Sequence, residues 1–215
     1  MARVFALSVI VLFALALTCV AQNSPRPIRI AVLDFGNNPI GRRVADRLAE
    51  ALASNNLTTS NRADAPRVID RDWARSAALG AGYRGSLNLT LQEARDLGSA
   101  IGCEFFFTGK AETERRSPLD GPSYFESSAA IYLVSARTGK LAVWERPSVQ
   151  RPTPEEAEKI LLQELTANEA LYRYGRDIQR SLEDERADRA WTTEHAGSVM
   201  ELMFDDNSAA GNGVQ

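Results

Sequence analysis

The run Gly80-Ala81-Gly82-Tyr83-Arg84-Gly85 has its glycines at the spacing of a dinucleotide-binding loop. Such a loop works because a strand delivers the glycines to a helix start, where free amides meet a pyrophosphate and an acid about twenty residues on holds the ribose. Here the order is reversed: a helical pattern runs into the glycines, Ser86-Leu87-Asn88-Leu89 follows them, and Glu104 opens a phenylalanine-rich stretch. The glycines are therefore read as a connecting loop. A nucleotide-binding enzyme using Gly80 to Gly85 is carried only as a rival.

Two carboxylates, Asp34 and Asp70, fall at the ends of expected neighbouring strands, where α/β proteins gather site residues. As a pair they could share a proton or hold a cation. Asp70 also has a structural use as a helix cap, and the structural reading is preferred. His195 is the only histidine and Cys103 the only cysteine after residue 19, about ninety positions apart, which does not make a zinc ligand set. Cys103 beside Glu104 lacks the neighbouring cation or histidine that would stabilise a thiolate. No catalytic residue, metal ligand or cofactor is assigned. Among the aromatics Tyr124, Tyr132 and Trp144, the last two are the candidate interface residues, because large rings with polar tips suit protein contacts.

Residues 1–21 read as a secretory signal peptide: one cation at Arg3, an apolar run from Val4 to Leu17, and small residues before an expected cleavage ahead of Gln22. The apolar run is shorter than a membrane span requires. Lipid anchoring at Cys19 is the weaker reading, since Leu17 and Thr18 stand where a lipid-attachment signal wants a small residue. Without Arg3 the chain carries 24 basic and 28 acidic side chains, 24 − 28 = −4. That balance lacks the basic excess of a nucleic-acid binder. A periplasmic or secreted location is expected, with no transmembrane span in the mature chain. Only 3 of the 25 cations are lysine, read as the composition of a bacterial genome.

Elements to position these residues are marked by their ends. Ile28 to Phe35 forms a buried strand, Asn38 and Pro39 start a helix whose Ile40, Val44, Leu48 and Leu52 share a face, and Val68-Ile69 is a short strand before a helix capped by Asp70. Thr90 and Glu93 form a capping box, Gly102 ends that helix, and Phe105, Phe106 and Phe107 make a strand apolar on both sides and hence central. Residues 111–123 read as a loop, and Tyr124 to Val149 as a hairpin turning at Thr138-Gly139-Lys140. A last helix starts at Thr153 and Pro154. Its second half, Arg173 to Arg189, is dominated by charge and expected to be solvated or to pair with something outside the domain. A short amphipathic piece over 199–204 closes the extension.

The blocks Ile28–Phe35, Arg67–Asp72 and Leu97–Lys110, in this order and with helices between, resemble the extracytoplasmic domain family that includes CsgG, the N-terminal domain of TolB and FlgO. The resemblance covers roughly residues 28–146 and implies a periplasmic building block that packs against partners or copies of itself, with no catalytic residue to transfer. The combined expectation is an α/β fold, a mixed sheet of about five strands flanked by helices with a C-terminal helical extension. Its divisions would be a signal peptide over 1–21, the domain over 22–150, the extension over 151–204 and a disordered tail over 205–215. The expected role is a non-enzymatic envelope scaffold or adaptor in secretion or envelope assembly, without pore-forming hairpins. The alternative is a regulatory binding domain for an envelope enzyme or transporter, like the lipoprotein activators of cell-wall synthases.

Overall fold

The computed structural model describes residues 27–54 and 66–209, with side chains described as far as residue 195. The expected signal peptide with Cys19 and Gln22, the side chains of 199–204, and residues 210–215 of the expected tail lie outside the described residues.

The chain forms a mixed α/β sheet with helices on both faces. The order of elements is β1 (Arg29–Val32), α1 (Pro39–Ser54), β2 (Arg67–Val68), α2 (Arg71–Gly80), α3 (Leu91–Ile101), β3 (Phe105–Arg116), β4 (Tyr124–Ser135), β5 (Leu141–Glu145), β6 (Ser148–Arg151), α4 (Pro154–Leu165) and α5 (Asn168–Ala209). Strands run in the order β2-β1-β3-β4-β5, and β6 continues the β5 side by pairing with the first half of β4. β1 is parallel to β2 and β3, and β4 is antiparallel to β3, β5 and β6. One half is thus a parallel crossover unit and the other a meander.

The start signals form as their chemistry requires. Asn38 accepts from the Gly41 amide and also donates to the Ala111 carbonyl, tying the start of α1 to β3. Asp70 accepts from the Trp73 amide at the start of α2. Thr90 and Glu93 exchange both bonds of the capping box, and Gly102 closes α3 in the left-handed conformation at φ 80°. Glu93, accepting first from the Thr90 amide and then from its hydroxyl, is held below the usual carboxylate range.

Phe105 and Phe107 point to one side of the central strand and Phe106 to the other. The first side is covered by α1, α4 and α5, with Leu48, Leu161 and Tyr174 fully buried there. Ala74, Ala78, Leu97 and Ile101 of α2 and α3 cover the second over β1 and β3. The expected central position of the phenylalanine strand is what the sheet order shows.

Two expectations are corrected. Residues 111–116 are strand rather than loop: β3 continues to Arg116, which faces Tyr124, and only 117–123 connect the strands. The segment is polar but not irregular, because cross-strand pairs such as Thr113 with Ser127 and Arg116 with Glu126 hold a solvated ladder in register. The charge-rich half of the last helix is not free of the domain. Leu171, Tyr174, Ile178, Leu182 and Glu185 fall three or four apart on one stripe and are buried against the sheet. Tyr174 meets Phe107 edge to face, with ring centroids 5.2 Å apart at 71°.

Candidate interaction site

At the carboxyl end of β1, the strand-end region that could have held chemistry is a cleft of about 300 Å³ lined in part by Asp34, Arg75, Tyr83, Arg84 and Gly85. It brings Asp34 to the glycine loop, but the loop follows the end of α2 instead of leading from a strand directly into a helix, the order that a dinucleotide-binding loop requires. Asp34 is spanned by two guanidiniums, Arg71 Nη2 at 2.5 Å and Arg75 Nε at 3.0 Å. Asp70 is spent on its cap. The two carboxylates therefore have separate partners rather than one shared proton. Tyr83 closes the floor by hydrogen bonding Thr108 at 2.8 Å, and burial raises its phenol above the ordinary value.

Cys103 is buried, and burial, then the nearby Glu104 charge, push its thiol up to about 12. A thiol so held is protonated at neutral pH and a poor nucleophile. His195 stacks on Trp191, with ring centroids 4.5 Å apart, and its Nδ1 lies 2.9 Å from the Trp191 carbonyl. Among the described residues no three His, Cys, Asp or Glu side chains are grouped to hold a metal ion.

The meander half differs. Tyr132 and Trp144, singled out as interface candidates, are direct cross-strand partners on β4 and β5. Tyr132 packs at the margin of the core beneath α2 and α3, while Trp144 is 61% exposed. Leu141, opposite Val134 on this face, is 53% exposed. β5 pairs only with β4 among the described residues, so its outer edge offers unpaired backbone amides and carbonyls.

Along that edge β5 and α5 enclose a cleft of about 390 Å³, whose lining includes Leu141 and Trp144. Its charged lining comprises Asp177, Asp184, Glu185 and Asp188 against Lys140 and Arg180, an excess of 4 − 2 = 2 acids. Helical spacing aligns the aspartates along one stripe of α5. Ser135 Oγ donates to Glu185 Oε1 at 2.5 Å, and Lys140 Nζ lies 3.0 Å from Asp188. At the other end of the contact the Tyr174 hydroxyl donates to Glu145, and burial followed by this bond raises the phenol.

Reading the sequence singled out Trp144 and Tyr132 as candidates and did not single out Asp184 or Glu185. Their signal was present as the continuation of the Leu171, Tyr174, Ile178 and Leu182 stripe by an acid at 185, a charge placed where the pattern calls for an apolar residue.

No family model and no curated protein matches the chain. Among solved structures, the hypothetical protein CT253 from Chlamydia trachomatis is similar at 12% identity over 68% of this chain and 97% of that one, with a TM-score of 0.45. Lipoprotein GNA1162 from Neisseria meningitidis is similar at 17% identity over 67% and 99%, TM-score 0.43. The C-terminal domain of LpoB from Salmonella enterica is similar at 13% identity over 63% and 92%, TM-score 0.39. Likeness at this level assigns no family and transfers no role. No described helix is long and apolar enough to cross a membrane.

Proposed function

We propose that the chain is an exported, non-enzymatic envelope module that works by binding other proteins, as a scaffold or adaptor of the kind its sequence resembles. The observation that carries this reading is the β5 border. An open strand edge, a half-exposed leucine and an exposed tryptophan are gathered there, while the strand-end acid Asp34 is neutralised by two arginines. Large aromatics at the centre of a contact, next to backbone groups that can pair, are what a docking surface needs. The extended part of β3 carries Glu112, Glu114 and Arg116 on one face and Arg115 on the other, which suits water on both sides rather than a pore wall.

Placing a photoactivatable cross-linking residue at position 144 in cells tests the reading, with Asp72 on α2 as an exposed control. A discrete envelope-protein adduct at 144 and none at 72 is expected. Equal labelling at both positions, or none, would sink the proposal. Mass spectrometry of the mature N terminus separates a free Gln22 from an acylated Cys19. The nucleotide-enzyme rival predicts a higher melting temperature with millimolar nucleotide, and no change is expected.

A further inference from the structure

The connection between β3 and β4, residues 117–123, is exposed along its whole length, and Leu119 at its tip is 100% exposed. Its ends are fixed: Arg116 pairs with Tyr124 on the ladder, and Ser117 Oγ lies 3.0 Å from Ser123 Oγ. Between those ends stands Asp120-Gly121, the one Asp-Gly pair of the sequence. Asp120 makes no hydrogen bond or ion pair among the described residues. Gly121 has φ 117°, and its amide donates to no backbone carbonyl among the described residues. A methyl group at this glycine would meet nothing nearer than Pro118 Cγ at 4.0 Å.

We infer that Asp120 is a site of spontaneous main-chain isomerisation through a succinimide. The Gly121 nitrogen attacks Asp120 Cγ, an N–Cγ bond forms, and the carboxyl hydroxyl leaves with the amide hydrogen as water. Water then opens the ring. Breaking the N–Cγ bond restores aspartate. Breaking the bond from that nitrogen to the Asp120 main-chain carbonyl carbon leaves isoaspartate, with the chain running through Cβ and Cγ and a free carboxylate on Cα. No oxidant, reductant or cofactor enters, and the water lost in the first step returns in the second. Ring closure needs a free carboxyl, an unbonded amide after it and a backbone that can rotate. Glycine supplies the rotation and leaves the nitrogen uncrowded, having no Cβ. Elsewhere Asp34 is held by Arg71 and Arg75, Asp70 caps α2, and the other described aspartates stand within helices whose backbone dihedrals are fixed. The extra main-chain carbon lengthens an exposed loop, so the core keeps its contacts.

The test keeps the purified full chain in warm neutral buffer for weeks and follows its tryptic peptide Ser117–Arg137 by liquid chromatography and mass spectrometry. Asp120 is the sole Asp or Asn of that peptide, so Asn212-Gly213 near the C terminus does not interfere. Expected are a second form of equal mass, identified as isoaspartate by electron-transfer fragmentation, and a minor form lighter by one water. Isoaspartate should accumulate within roughly threefold of its rate in the chain unfolded in guanidinium chloride, because opening an exposed loop costs little. Asp120→Asn, which offers ammonia as the leaving group, should form it faster. Asp120→Glu, which needs a larger ring, should form none, and Gly121→Ala should slow it several-fold.

A native chain whose peptide stays single while the unfolded chain isomerises overturns the inference, as does absence of the isomer from both. An unchanged rate in Gly121→Ala overturns it too. The urea midpoint should be the same before and after isomerisation, and a lower midpoint would show that the loop belongs to the packed fold rather than standing free of it.

Discussion

The face of the sheet beneath α2 and α3 changes character between β1 and β5. Over β1 and β3 it is closed: Ala31, Leu33 and Phe106 are buried by Ala74, Ala78, Leu97 and Ile101. Over β5 it is open, with Leu141 and Trp144 facing water. At the closed end Asp34 has two arginines, and at the open end Glu185 has the Ser135 hydroxyl and Arg137, whose Nε lies 3.6 Å away. The difference teaches that the parallel half is closed by its own helices, while the β5 border keeps a tryptophan and a leucine in water.

The largest expected effect tests the buried side of that contrast. Phe107→Ala removes a fully buried ring that meets Tyr174, and should cost about 3–5 kcal/mol of unfolding free energy in urea titration. A loss well under 1 kcal/mol would mean that the central strand is not the core. Next comes the alkaline limb. The Cys103 thiol is raised from 9.0 to about 12, so the unfolded chain gives up its proton first. Stability from this group is full below pH 9, then falls as pH rises towards 12, on the order of a few kcal/mol, with Tyr174 adding loss in the same direction above pH 10. Cys103→Ala should flatten the part that begins at pH 9.

Smaller effects sharpen the contrast. Gly109→Ala would set a methyl 2.1 Å from the Ala130 carbonyl and 2.5 Å from the Phe35 ring, and overpacking of this kind costs roughly 1–3 kcal/mol by the same titration. Thr90→Ala, by loss of its cap, should lower stability by about 1 kcal/mol. At the open border, Trp144→Ala should change stability by less than about 0.5 kcal/mol while abolishing cross-linking from a neighbouring probe at Tyr132. A large stability loss there would show that the tryptophan serves the fold.

Local signals carried much of the architecture. Asn38-Pro39, Asp70, Thr90 with Glu93, and Gly102 bound their helices because capping depends on residues three or four apart in the chain. The three phenylalanines showed a strand apolar on both faces, and a strand of that kind can only lie inside a sheet. What local pattern could not show was where polar segments go. The stretch Ala111 to Arg116 looks like loop because its residues are soluble, yet its strand geometry is imposed by β4, from Tyr124 opposite Arg116 to Ala129 opposite Ala111.

The sequence alone determined the class of element at each capped or doubly apolar segment, since the cause sits within one turn of helix or one strand. Only the tertiary structure decided that Asp34 is held by Arg71 and Arg75, that Tyr132 faces Trp144, and that an acid on α5 lies beside the free edge of β5. Those relations join residues from about a dozen to about forty positions apart, and their energies exist only once packing has brought the groups together and removed the water between them.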